Sequence, residues 1–193
     1  MNTKKDSKVY QLKILLRDTK VWRKILVKSD ILLPELHKII QTVMGWTNSH
    51  LHHFIIDNAF YCIPDGEDYG LETVDYEKVK LGEVKNRIGD RFIYEYDFGD
   101  SWEHEIEIEK ILPVEKGKYY PACLDGKNAC PPEDCGGTGG FEDFLKAIKD
   151  KEHPEHEEFL EWIGGEYDSE YFNIEEVNEM LKEKDYGCIT LFD

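Results

Sequence analysis

The sequence predicts an α+β fold: a β-β-α-β N-terminal part, an antiparallel sheet that continues it, and short helices at the C-terminal end. Three observations predict it. Apolar and polar residues alternate over 9–16, 21–27, 91–96 and 102–111, as half-buried strands require. Apolar residues recur at helical spacing over 33–44 and in three short stretches after residue 138. Strands come first and helices last, an order that suits α+β rather than alternating α/β architecture.

Each element follows from local chemistry. Residues 9–16 alternate well enough for a strand, and Arg17-Asp18-Thr19-Lys20 forms a turn that lets 21–27 pair back as a hairpin. Pro34 suits the first turn of a helix. Leu33, Leu36, Ile40, Val43 and Met44 form its apolar stripe, with His37 on that side as a core residue, and Gly45 stops it. Residues 50–56 (HLHHFII) read as the next strand, and 58–90 is turn-rich and weakly patterned. Tyr94, Tyr96 and Phe98 then share one strand face, as do Trp102, His104, Ile106 and Ile108 on the following strand. A three-residue connection, Gly99-Asp100-Ser101, aligns those faces, whereas two residues would flip the second strand. The opposite face then carries Glu95, Asp97, Glu103, Glu105, Glu107 and Glu109, an acidic face turned to water. Phe141, Phe144, Leu145 and Ile148 mark the first late helix. Pro154 opens the second, striped with Phe159, Leu160, Trp162 and Ile163 and closed by Gly164-Gly165. Asn173 and Glu176 form a capping box for the third. With no repeat, low-complexity tract or Ser/Gly linker, residues 1–193 read as one domain with a helical section over 138–185.

Composition narrows the function. Hydrophobic residues make up 40% of the chain and aromatics 12%, enough to bury a core. No apolar run approaches the ~20 residues of a membrane span, and MNTKKDSKVY lacks the apolar stretch of a signal peptide. The expectation is a cytoplasmic protein with reduced thiols, since five cysteines fit poorly with a complete disulfide framework. The net charge is −17, unevenly spread. Residues 1–28 carry nine bases and two acids, and 150–193 carry fifteen acids against three lysines. So acidic a body repels phosphate backbones and argues against nucleic-acid binding. A basic protein is the partner it would suit, while the N-terminal lysines read as a complement to the acidic body. No Walker loop, dinucleotide fingerprint, G-x-S-x-G or H-E-x-x-H is present.

Three places carry candidate chemistry. In YPACLDGKNACPPEDCGG, Cys123, Cys130 and Cys135 are spaced C-x6-C and C-x4-C in a stretch stiffened by Pro131-Pro132 and released by Gly136-Gly137. Structural zinc sites use closer pairs, yet His156, one turn before Phe159 and Leu160 on a buried helix face, supplies a fourth ligand on paper. The bland alternative is that these thiols are small core hydrophobes. Glu133 and Asp134 would support a ligating histidine or cap a turn. In YDFGDSWEH, Asp97, Asp100 and His104 are residue types that bind divalent ions or move protons. In the register above, however, Asp97 and His104 point to opposite faces, and Asp100 suits an Asx turn. In HLHHF, His50 and His52 would share one strand face and could chelate an ion, or simply line a half-buried face. The four tryptophans read as core.

The strings MGWTNSHLHHF, YEYDFGDSWEHEI, YPACLDGKNACPPEDCGGTGGFEDFLKAI and HPEHEEFLEWIGGEYDSEYFNIEEVN together resemble the plasmid pRiA4b ORF-3-like family over about residues 8–183. The resemblance implies an α+β domain found on plasmids, mobile elements and chromosomes, and brings no established activity. Some members are labelled resolvase-like. A serine resolvase needs a basic DNA-binding tail, which this acidic C-terminus is not. The family motif falls on Asp97, Gly99, Asp100, Trp102 and His104, then on Cys123 and Cys130 to Asp134, with Gly136 and Gly137. The leading expectation is a protein with a structural zinc held by Cys123, Cys130, Cys135 and His156. The alternatives are a metal-dependent hydrolase using Asp97, Asp100 and His104 with Glu133 and Asp134, and an acidic protein-interaction module.

Overall fold

The computed structural model describes residues 7–64, 66 and 72–189. Its strands are β1 (Lys8–Leu16), β2 (Trp22–Lys28), β3 (His52–Ile56), β4 (Ala59–Cys62), β5 (Glu72–Asp75), β6 (Arg91–Tyr96), β7 (Trp102–Pro113) and β8 (Ala122–Lys127). The helices are α1 (Leu33–Met44), α2 (Leu81–Val84), α3 (Gly137–Lys149), α4 (His156–Ile163) and α5 (Ile174–Met180). The fold is α+β, as the sequence predicts. All eight strands join one sheet in the order β5-β4-β3-β6-β7-β1-β2-β8. Every pairing is antiparallel except β4 with β5.

The sheet has one apolar and one charged face. Leu12, Ile14, Ile25, Val27, Phe54, Tyr94, Trp102, Ile106 and Ile108 are buried in a single cluster with α1 residues Leu33, Leu36, Ile39, Ile40 and Val43. Each such aliphatic side chain contributes roughly 1.5–3 kcal/mol on burial. Phe141, Phe144 and Leu181 bring the late helical section into the same cluster. The acidic face expected across β6 and β7 exists, and basic residues of the same chain pair with it. Arg17 meets Glu103, Lys24 meets Glu109 at 3.0 Å, and Arg91 meets Glu105 at 3.3 Å and Glu107 at 2.8 Å. The basic N-terminal hairpin thus neutralises part of the acidic body.

Several local expectations need correction. The strand expected over 50–56 begins at His52, so His50 belongs to the loop after α1 and does not share a strand face with His52. The faces align as predicted, but the pairing is shifted by two residues: Tyr96 rather than Phe98 lies opposite Trp102, Tyr94 lies opposite His104, and the connection spans 97–101. Phe98 is 44% exposed, outside the apolar face. Asp97, at φ 58, leaves the strand instead of lining the wet face. The cysteine-rich stretch opens as strand β8, pairing with the edge of β2, and the weakly patterned 58–90 holds β4, β5 and α2. Of the tryptophans, Trp46 and Trp102 are buried, whereas Trp162 is 46% exposed.

Candidate metal site

Three loops meet at the end of the sheet where β3 begins and β6 ends. The first, 46–50, leaves α1 at Gly45, where a left-handed conformation ends the helix. Polar residues of α1 facing inward hold it. The Asn48 N–H donates to Gln41 Oε1 at 3.1 Å, and His37 Nε2 lies 2.9 Å from Asn48 Oδ1. With that nitrogen donating, His37 Nδ1 is left to accept from the Tyr94 hydroxyl at 2.8 Å. The second loop is the β6–β7 turn. Asp97 N–H donates to Leu51 O, and Asp97 Oδ1 accepts from Gly99 N–H at 3.0 Å, an Asx-type bond that aspartate forms readily at a turn.

The third loop, 128–136, is pinned from several sides. The Trp46 indole N–H donates to Pro131 O at 2.9 Å. Glu133 accepts from the Thr47 N–H and hydroxyl on one oxygen and from the Tyr96 hydroxyl on the other. That hydroxyl also accepts from the Ser49 and His50 N–H groups. Burial and the Glu133 carboxylate push the Tyr96 phenol well up, so it stays protonated and donates. Asp100 Oδ2 accepts from Gly136 N–H at 3.1 Å. Only glycine fits at 137: an added Cβ would sit 2.6 Å from Asp100 O, and φ there is +67. Arg23 anchors the start of the loop by donating to Lys127 O and Asn128 O, and it also reaches Val43 O of α1.

This scaffold brings His50, Asp97 and Asp134 together. One ligand atom from each lies within 4.8 Å of the others. Among the described residues this is the group of three or more metal-ligating side chains so arranged. His50 Nδ1 is 3.7 Å from Asp97 Oδ1, and its Nε2 is 3.2 Å from Asp134 Oδ1. Nε2 is a buried atom, yet it forms no hydrogen bond, because the contact to Asp134 lacks the alignment. Asp97 is 7% exposed, while the Asp134 side chain is 69% exposed, so one wall is dry and the other open to solvent.

The residues singled out from sequence divide accordingly. Asp97 and Asp134 are in the cluster, and Glu133 and Asp100 hold its loops in place. His104 is fully buried on the apolar face, its Nδ1 3.2 Å from Tyr94 O, and burial lowers its pKa to about 4. Cys123 lies buried on β8, its sulfur 3.6 Å from the Lys24 and Asp125 carbonyls. Burial pushes its thiol up to about 11 and that of Cys135 to about 12, and raises Cys130 further. His156 is buried as expected, but its Nδ1 meets Ala147 O at 2.9 Å, docking α4 on α3. Cys123, Cys130, Cys135 and His156 therefore do not share a ligand cluster. His52, for which chelation with His50 and a half-buried lining role were both open, stacks on His37 with ring centroids 3.5 Å apart, and its Nε2 bonds to the Tyr76 hydroxyl. The role of His50 was half legible: its residue type signalled metal chemistry, but its partners lie 47 and 84 positions away in the chain.

One family model and two proteins without an established function match the chain. The family model described as plasmid pRiA4b ORF-3-like protein matches residues 8–176. The uncharacterized protein y4hQ of Sinorhizobium fredii is 39% identical over 177 residues, covering 90% of each chain. The crystal structure of a protein of unknown function, MM3350 from Methanosarcina mazei Go1, superposes with a TM-score of 0.81 at 38% identity. That match covers 88% of this chain and 96% of the other.

Proposed function

The chain belongs to the plasmid pRiA4b ORF-3-like protein family, and we propose that it is a divalent-metal-binding protein whose ion sits among His50, Asp97 and Asp134. One observation carries the reading: three ligating side chains from three separate loops converge within 4.8 Å. One imidazole with two carboxylates suits a borderline ion such as zinc or manganese. An ion there would relieve the misaligned contact between His50 Nε2 and Asp134, and the exposed side of Asp134 would leave coordination positions to water. Proximity favours this set over the cysteines, whose buried thiols would each have to lose a proton first. The buried thiols of Cys123 and Cys188, which form no disulfide, support a reducing, cytoplasmic setting.

The test is calorimetric titration of chelator-treated protein with zinc and with manganese. About one equivalent should bind, and Asp97→Asn and His50→Gln should each weaken binding by ~10-fold or more. Binding unchanged by both substitutions would rule the site out. A second reading, hydrolysis by a metal-bound water, is favoured by the solvent-facing side of Asp134. It predicts that the metal-loaded protein cleaves an activated phosphate or carboxylate ester and that the chelated protein does not.

A further inference from the structure

An apolar groove of about 310 Å³ lies between the C-terminal end of α1, the 129–133 loop and the chain from the end of α4 through α5. Trp46, Pro132, Tyr167, Tyr171, Val177 and Met180 line it. Tyr171 is 52% exposed and Met180 41%, so its apolar surface faces solvent. Its walls are fixed by bonds already made. The Trp46 indole N–H donates to Pro131 O at 2.9 Å, and the Tyr167 hydroxyl donates to Cys130 O at 2.9 Å. Grouped, exposed apolar side chains mark interaction sites, and tyrosine, tryptophan and methionine are the types enriched there.

The charge offered around the groove has one sign. Glu176 lines it, is exposed, and holds the Tyr171 hydroxyl at 2.7 Å. It forms no ion pair among the described residues. Residues 150–193 carry fifteen acids against three lysines. Among the described residues of that section, only Glu179 and Asp185 pair with a base. The glutamates of the sheet face differ, because Arg17, Lys24 and Arg91 pair with them. The base in the groove wall, Arg23, is buried. Its guanidinium donates to the carbonyls of Val43, Trp22, Lys127 and Asn128 and lies 4.2 Å from the Phe172 ring centroid, so its charge is not presented to a ligand.

We propose that this groove docks a basic segment of a partner protein, with an apolar side chain seated against Trp46, Tyr171 and Met180 and a flanking lysine or arginine beside Glu176. Apolar anchors supply affinity at such a surface, and complementary charge selects the partner. Charge excludes the other occupants. A nucleic acid or an acidic protein is repelled, and so is a second copy of a chain with net charge −17. The volume is at the low end of ligand clefts, about 300–1,000 Å³, and suits inserted side chains rather than a whole cofactor.

The experiment is an amide and indole NMR titration of the full chain with end-blocked peptides Lys-Arg-X-Lys-X-Arg-Lys, where X is Leu, Phe or Trp. Saturable shifts at Trp46, Tyr171 and Met180 at or below ~1 mM are expected with at least one probe, and rising salt should weaken them. Met180→Ser should weaken binding by ~10-fold and Glu176→Gln by ~3-fold. Both residues are exposed, so both variants should fold. Glu105→Gln on the sheet face should change nothing. Absence of saturable shifts with all the probes would overturn the proposal. Equal binding of a peptide with X as Ser would also overturn it, by reducing the contact to bare charge. Shifts at the same residues on raising protein concentration alone would assign the groove to a second copy and overturn the basic partner.

Discussion

At the scale of single residues, the candidate site depends on one carboxylate that touches no ion. Glu133 accepts three hydrogen bonds and ties the loop carrying His50 to the loop carrying Asp134. Glu133→Gln keeps the shape but turns an amide N–H₂ toward existing donors, at about 1–3 kcal/mol. Melting should fall by several degrees, and zinc affinity by ~10–100-fold through lost positioning. A calorimetric trace unchanged in both respects would show that Glu133 has no such role. The thiols permit a second test at this scale. With Cys123 at about 11 and Cys135 at about 12, under about 1% of either is thiolate at pH 8, and only thiolate alkylates readily. Iodoacetamide should label folded protein slowly and denatured protein fast. Rapid labelling of Cys123 or Cys135 in the folded chain would contradict their burial.

At the scale of elements, the late helices hold together through aromatic edges. Phe144 of α3 is fully buried and meets Phe159, Trp162 and Tyr167 edge to face at 5.4, 6.0 and 5.1 Å. The sequence named Phe144, Phe159 and Trp162 as stripes of separate helices, and packing turned them into one cluster. Phe144→Ala should cost ~3–5 kcal/mol and lower the melting temperature by on the order of 10 °C. The proposed metal site should survive in whatever fraction remains folded, because none of its three candidate ligands lies on α3 or α4. A fall in melting of under a degree would show that the cluster contributes little. The helix most tied to the site is α1, whose buried Gln41 and His37 reach the Tyr94 hydroxyl and Asn48 at once. Their inward placement is legible as helical spacing, but their partners are not.

At the scale of the whole molecule, buried neutral histidines set how stability varies with acidity. Burial lowers His37 and His104 from 6.5 to about 4, and His52 well below 6.5. The unfolded chain therefore binds more protons than the folded one between pH 6.5 and about 4. Stability is fully present above pH 6.5 and is lost as pH falls toward 4, at ~1.4 kcal/mol per pH unit for each such histidine. Melting temperature should drop steadily from pH 7 to pH 5, more than carboxylates alone explain. His104→Phe, which removes one titrating group within the core, should flatten that slope. An equal slope in the variant would assign the acid sensitivity elsewhere.

By itself the sequence determined the α+β class, the hairpin, α1, the shared face of Tyr94 and Tyr96 with Trp102 and His104, and the three late helices. Period-two and period-3.6 burial and capping residues act over a few neighbours, so they are readable without the fold. It also marked Asp97, Asp100, Glu133 and Asp134 as chemically loaded. Tertiary structure alone decided which of them meet. The strand that begins at His52 rather than His50 frees one imidazole, left-handed backbone at Asp97 and Asp134 swings both acids out of regular elements, and Glu133 pulls two distant loops together. Each of these depends on contacts between segments about 35 to 85 residues apart, a separation at which local pattern carries no information on pairing.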